Sequence, residues 1–348
     1  MQGVDQAAFE INVGGQNVTE RFNPLLESLT VVDKAGTTSD TAHITLDDNG
    51  GHLYMPSKGD PITILLGWRS SGIGLVFDGT VDEIRATGSR GGGRTMTIGA
   101  KGFDTKSKAK EPLEFHKDDA TLQEFLSDAA KKAGLDGVKV SSSLASIKRE
   151  YWLAGTESFI HLGQRLAEEV GGTFKVVGRI GILTGMGEGL SVSGVNLGSV
   201  SAIWGDNLLN YDISPTLARP RFREARTRHY DRKAAKWKEE KLSIEIPGLG
   251  AEAQHTHRMT RADQDEAKHS ARSNKKKSER EAGSGTVLII GNITPQPEGS
   301  CLVANCRPGI DGSYKIESVE HCLTRSNGFT TKLGLKEPGA GAGADSRD

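Results

Sequence analysis

Residues 158–177, SFIHLGQRLAEEVGGTFKVV, place a histidine, an arginine and two adjacent glutamates just before a glycine pair. Two carboxylates converging on one substrate atom would be acid–base machinery, and a glycine turn with free N–H groups would cradle a phosphate. The spacing argues against both. Neighbouring residues on a helix point about 100° apart, so Glu168 and Glu169 diverge. Phosphate-binding glycines lie between a strand and the start of a helix, whereas Gly171-Gly172 follow a helix and precede a strand. Phe159, Leu162, Leu166 and Val170 recur at spacings of three and four and form an apolar stripe. Thr156 is expected to cap this helix, Glu157 suits its positive end, and Gly171-Gly172 ends it. His161, Arg165, Glu168 and Glu169 then form a solvated face. Beyond the helix, Thr173–Val176 alternates as a half-buried strand does, and Gly178-Arg179 fits a two-residue hairpin turn.

The other stretches with chemical potential are weaker still. Gly185-Met-Gly-Glu-Gly189 lacks the lysine and the following helix of a phosphate loop and reads as a turn. His255 and His257 have no partner cluster in the sequence. Cys301, Cys306, His321 and Cys322 could be drawn as a metal site, but Cys301–Cys306 reads as a strand and paired CxxC knuckles are missing. Three cysteines in a chain of 348 residues also make no disulfide framework. No GxSxG or HExxH signature occurs. We therefore assign no catalytic, cofactor-binding or metal-binding residue. Residues 215–282 hold 18 Lys or Arg against 11 Asp or Glu, with Arg219, Arg221, Arg223 and the run Lys275–Lys277 dominating. A strand-binding surface would interleave aromatic stacking platforms, and only Phe222, Tyr230 and Trp237 are present. A solvated or protein-facing surface fits better.

The elements that hold these residues are mainly strands. The formal net charge is −1, the apolar share 35%, and glycine numbers 44. No global attraction to nucleic acid or membrane is evident, and no apolar run reaches the length of a membrane span. No basic-then-apolar leader opens the chain, so synthesis in the cytoplasm is expected. Short strands follow one another through the first hundred residues, then a capping box Thr121–Glu124 opens a helix that ends at Gly134. Strands return from Leu208. Both ends carry a similar order: a strand opened by glycine, an Asp-Gly turn (Asp78-Gly79 and Asp311-Gly312), a strand, a glycine turn and a last strand. The expected fold is α+β and mainly β, with two related β-barrel (tube-type) domains and an α/β insert between them. Residues 1–110 make the first barrel, 111–204 the insert, and 205–338 the second barrel with a charged hairpin and a surface helix. Residues 339–348 form a disordered tail.

Two stretches carry a family likeness. Trp152-Leu-Ala-Gly-Thr-Glu-Ser-Phe159 with LAEEVGGTFKV resembles the central segment of the phage late-control D-like tail hub proteins. The GTVLIIG strand and the closing DGSYKIESVEHCLTRSNGFTTKLGL resemble that family's end, and TLQEFLSDAAKKAGL stands in the expected place. The chain is also similar to the front part of type VI secretion spike proteins. This resemblance implies a homotrimeric hub with six barrels around a channel. Its pseudo-sixfold face would match a hexameric tail tube protein, and its threefold face would seat a trimeric spike protein. Tape measure and other baseplate proteins would lie nearby, and DNA would cross the channel without specific binding. The place implied is the virion tail or baseplate, reached from the host cytoplasm during assembly. No enzyme activity is implied. A type VI-like secretion hub, a tail-associated cell-wall hydrolase and a nucleic-acid-binding module are the alternatives.

Overall fold

The computed structural model describes residues 5–36, 39–102, 108–215, 222–231, 234–244, 254–257, 260–343, 345 and 347. Its first unit comprises β1 (Ala7–Val13), β2 (Gln16–Asn17), α1 (Thr19–Phe22), β3 (Leu26–Lys34), β4 (Thr41–Asp47), β5 (Pro61–Trp68), β6 (Gly72–Ser89) and β7 (Gly93–Lys101). Alternation drives it. Ala42, Ile44 and Leu46 of β4, Ile62, Ile64 and Leu66 of β5, and Met96, Ile98 and Ala100 of β7 point into one core while their neighbours face outward. The expected turn at Asp78-Gly79 does not occur. The chain reverses at residues 69–71, and β6 runs unbroken through Gly79. Glycine is required there for close approach, because a Cβ would stand 2.2 Å from the Lys101 carbonyl oxygen.

Next come β8 (Pro112–Thr121), α2 (Leu122–Lys132), β9 (Gly137–Val140), α3 (Ser142–Ala145), β10 (Lys148–Ser158), α4 (Phe159–Val170), β11 (Gly172–Val177) and β12 (Ile180–Gly185). β8 and β10 form an antiparallel ribbon, and β12 pairs antiparallel with β11 and parallel with β9. A separate core gathers Phe125, Trp152, Phe159, Leu162, Leu166 and Phe174, with Phe125 stacked on Trp152 at 5.5 Å. The expected capping box at Thr121 and Glu124 is formed. The α4 cap is Ser158, whose hydroxyl accepts from the His161 N–H; Thr156 does not cap it. The reason is the ladder with β8, which continues to Ser158 and has Thr156 as a bulge residue at φ 56° within it. Gly171 ends α4 in the left-handed conformation, φ 74°.

The second unit comprises β13 (Ser199–Ile203), β14 (Leu208–Ser214), β15 (Glu224–Asp231), β16 (Lys236–Ser243), β17 (Gln254–Thr256), α5 (Gln264–Arg280), β18 (Ser284–Ile290), β19 (Ser300–Ala304), β20 (Gly312–Thr324) and β21 (Gly328–Lys336). Its pairing order β14-β18-β21-β20-β19-β13 matches the first unit's β3-β4-β7-β6-β5-β1. Even the bulges coincide. β3 slips against β4 at Leu26/Ser28 as β14 does against β18 at Leu208/Asn210. β6 slips against β7 at Val81/Glu83 as β20 does against β21 at Ile316/Ser318. By this register Asp82 corresponds to Glu317 and Gly79 to Tyr314, so the two Asp-Gly pairs are not equivalent. One pair differs in sense: β1–β5 is antiparallel and β13–β19 parallel. The chain is thus mainly β with an α/β insert between two related units, and a β3–β20 ladder fuses those units into one 13-stranded sheet.

Composition misleads in two places. The polar stretch at 260–282 was expected on the surface, but α5 packs against β15 and α4. Ala267, Ser270, Ala271 and Ser273 are buried because small side chains let backbones approach. Residues 339–343, expected to be disordered, fold back on β20. The Gly339 N–H donates to the Ser313 carbonyl and the Ser313 N–H to that of Ala340, while Ala342 packs on the second unit's core. Ser313 would otherwise leave both backbone groups without a strand partner.

Candidate functional site

The central stretch of the sheet is eight antiparallel strands: β14, β18, β21, the second half of β20, β3, β4, β7 and the second half of β6. Their directions give it two distinct ends. At one end stand the tight turns 90–92 and 325–327, one from each unit. From the other end leave the insert after β7, the segment between β14 and β18, and the chain after β21. The two long interruptions, the insert and the segment between β14 and β18, therefore project from a single end.

Buried ion pairs bind that extra material together. Glu169 of α4 lies between Arg149 of β10 (3.0 Å), Arg165 of its own helix (3.2 Å) and Arg261 ahead of α5 (3.5 Å). Burial alone would raise its carboxyl; the three guanidiniums, Arg149 foremost, outweigh that and hold it below the ordinary value. Arg149 also pairs with Glu266 of α5 at 3.0 Å and stacks over Trp152. Arg165 pairs with Glu157 at 2.5 Å. Of the polar face expected to be solvated, His161 and Glu168 are exposed, but Glu169 sits inside this cluster. The glutamates diverge as the sequence requires. The signal that was missed lies far off in the chain, in Arg149 and Arg261.

Two further pairs tie the insert and the α5 segment to the β units. Lys175 of β11 reaches Asp33 (2.7 Å) and Asp40 (2.5 Å) of the first unit. Burial and the nearby Asp33 push the Asp40 carboxyl up to about 6, against the pull of Lys175. Glu298, just before β19, pairs with Arg280 of α5 at 2.7 Å, with both side chains about nine-tenths covered. Glu298 also accepts the Gly187 N–H at 2.9 Å. The glycine run 185–189 therefore presents its N–H to a carboxylate of its own chain.

The remaining sequence candidates are dispersed. Cys301 lies in the second unit's core, where burial pushes its thiol up to about 12. Cys306 is in the turn after β19. His321 is buried beside Thr331 on β20, held down to about 4 by burial. Among the described residues no group of three His, Cys, Asp or Glu is placed to hold a metal ion. The His255 side chain and residues 219–221 fall outside the described ones. The basic run is committed within the chain: Lys275 faces Glu279 (3.7 Å), Lys276 faces Glu188 (4.0 Å) and Lys277 faces Glu168 (3.7 Å). Exposed side chains at this range are held loosely, yet each cation has a carboxylate beside it.

What the molecule offers is edges and apolar surface. Among the described residues the outer edge of β14 and that of β6 beyond Val81 carry no partner strand. Tyr54, Leu75, Trp204, Leu209 and Trp237 are exposed. Unpaired edges and exposed aromatics are features of a surface that meets other chains.

No family model matches the chain. In sequence it is 33% identical over 169 residues to the "Probable baseplate hub protein" of Escherichia phage 186, covering 49% of this chain and 42% of that one. It is 30% identical over 196 residues to the protein of the same name from Escherichia phage P2, covering 56% and 49%. The chain resembles phage baseplate hub proteins. The matched segments span about half the length of these relatives or less. In fold it matches a tail protein from Neisseria meningitidis with a TM-score of 0.69, 15% identity and coverage of 95% and 97%. It also matches an Escherichia coli component of the type VI secretion system, with a TM-score of 0.52, 9% identity and coverage of 98% and 79%. The late-control hub likeness read from residues 152–177 and the closing strands thus agrees with the names of the two relatives, and the fold shared with the Neisseria tail protein extends over nearly the whole chain.

Proposed function

We propose that this chain is a structural hub of a phage tail or phage-like contractile particle. Three copies form a ring that adapts a hexameric tail tube to a trimeric central spike. The observation that carries this reading is the repeated ladder with both long unshared segments at one end. A ring of three copies presents six near-equivalent strand ends and turns (90–92 and 325–327) on one face, suited to a sixfold partner. On the other face stand three copies of the insert and of the α5 segment, suited to a threefold partner. The work is done by surfaces, and no catalytic residue takes part. The place of action is the virion baseplate, with assembly in the host cytoplasm, and DNA crosses the channel without specific contacts.

The ring closes as the chain itself does. Within one chain, β3 lies along β20 from Ser28↔Thr324 to Lys34↔Ser318. The bulges make β14 equivalent to β3 and β6 equivalent to β20. The outer edge of β14 therefore lies along β6 of the next copy, with Asn210 beside Ser89 and Asp212 beside Thr87. Exposed residues line both edges, and pairing them removes the sheet's open ends.

Light scattering of the purified protein, with two-dimensional electron-microscope averages of the same sample, tests the reading. Threefold rings with a central hole are expected. A compact monomer, with no ring even when neighbouring tail proteins are co-expressed, would refute it. A hub of a type VI-like secretion particle is the second reading, favoured by the fold match to the Escherichia coli secretion component. Co-purification with a contractile phage tube protein against a secretion tube protein separates the two.

A further inference from the structure

The loop that follows β18, residues 291–299, anchors the second unit to the first. Its Gly291 carbonyl accepts the Trp68 Nε1–H at 2.8 Å. Two residues on, Ile293 packs against the first unit's core, so close to Gly74 that a Cβ there would stand 2.5 Å from Ile293 Cδ1. The first unit has an equivalent loop after β4, residues 48–60. Both begin alike: the Gly291 N–H donates to the Phe329 carbonyl, and the Asp48 N–H donates to that of Arg94, which holds Phe329's place in the repeat.

This second loop is longer and, among the described residues, finds no such anchor in its own chain. It is pinned at both ends, by the Leu53 N–H to Asp48 (3.2 Å), the Ser57 N–H to Asp60 (2.7 Å) and the Gly59 N–H to the Val81 carbonyl (2.8 Å). Leu53 packs on the first core, while Tyr54 is 87% and Met55 49% exposed. A fixed loop therefore holds an aromatic and a thioether side chain out into water. A large amphipathic ring on a pre-ordered loop suits an interface anchor, since little freedom is lost when it docks.

We infer that Tyr54 and Met55 dock on the second unit of a neighbouring copy, repeating between chains the contact that Ile293 makes within one. The target follows from the register. Pro61 and Ser300 are equivalent, since they pair with Thr80 and Lys315, and counting on from them sets Arg307 at Trp68's place. The landing surface is thus the turn between β19 and β20, residues 305–311. Arg307, which also faces Asp345 at 3.5 Å, offers a donor there as Trp68 does inside the chain, and its side chain is 59% exposed. This assignment rests on the ring reading, and it adds an anchor lying outside the strand edges.

The test uses the full chain. Tyr54→Asp/Met55→Asp alters exposed side chains, so an unchanged circular-dichroism spectrum and melt will show an intact fold. The expected result is ring formation shifted to at least tenfold higher concentration, with Tyr151→Asp, on the exposed face of the insert, assembling as the parent does. A photo-crosslinking amino acid at position 54 is expected to join residues 305–311 of another copy, identified by mass spectrometry. If the parent forms rings and the double variant forms them equally well, or if position 54 joins a different region, the loop assignment is wrong and the ring stands. If the parent forms no ring, both fall together.

Discussion

Residues 35–40 carry the first unit from β3 to β4, while residues 215–283 carry the second from β14 to β18. Around these very unequal connections the ladders agree strand for strand and bulge for bulge. Register is therefore fixed by the faces of the strands. A slip of one residue would turn every inward side chain of β18 to the outside, whereas lengthening a loop costs only logarithmically in closure entropy. The shared part is held by apolar alternation. The unshared part is held by buried charge, through Glu169, Glu298 and Lys175, and the two regions should fail in different ways.

The largest effect is expected from Glu298→Ala. It leaves Arg280 buried without its carboxylate and the Gly187 N–H without its acceptor. A loss of about 3–5 kcal/mol is expected, since removing one partner strands a buried charge. A urea midpoint equal to the parent's would mean that this pair does not hold the α5 segment to the second unit. Gly79→Ala probes the shared ladder where the repeats diverge, for Tyr314 holds the corresponding place. The added methyl meets the Lys101 carbonyl, and a loss of about 2 kcal/mol is expected from overpacking. Calorimetry in which the variant melts with the parent would show that the strands spread there at no cost.

Asp40→Asn tests the charged junction through pH. The Asp40 carboxyl lies at about 6 in the folded chain against its ordinary 3.8. The folded state thus binds more protons between those values, and this group adds stability as pH falls from about 7 to below 4. Asparagine removes the charge that is buried at high pH. The variant should exceed the parent by about 2 kcal/mol at pH 8, and the two should converge only below about pH 4. A difference independent of pH in paired urea titrations would sink this assignment. The smallest effect is expected from Thr121→Ala, which removes the cap of α2 and costs about 1 kcal/mol. Hydrogen exchange should show the loss confined to the first turn of that helix.

Local signals were the legible ones. The Thr121–Glu124 box, the Gly171 stop and the Gly178-Arg179 hairpin depend on neighbours in sequence, and each stands where the residues indicate. The repeat was legible in outline, with its register misplaced by two residues. The Asp-Gly pairs drew attention, while the true turn at 69–71 is marked only by serines and a following glycine. Glu169 could not be read from its own helix, because Arg149 and Arg261 are brought to it by packing. The order of residues 339–343 was hidden for a similar reason. It depends on the vacant backbone groups of Ser313, which no composition reveals. The β3–β20 ladder joins residues nearly the whole chain apart, and a free edge in one sequence says nothing of which edge will cover it.

Because both long interruptions leave from the same end of the central strands, that end is open to change in a way the other is not. A segment can be lengthened, exchanged or lost there without moving any ladder pair. The turns 90–92 and 325–327 stand at the other end, each joining neighbouring strands of the shared ladder. For a lineage this concentrates novelty on one side of the molecule. For an engineer it marks the tip of the β15–β16 hairpin as the place to splice in a reporter or cargo.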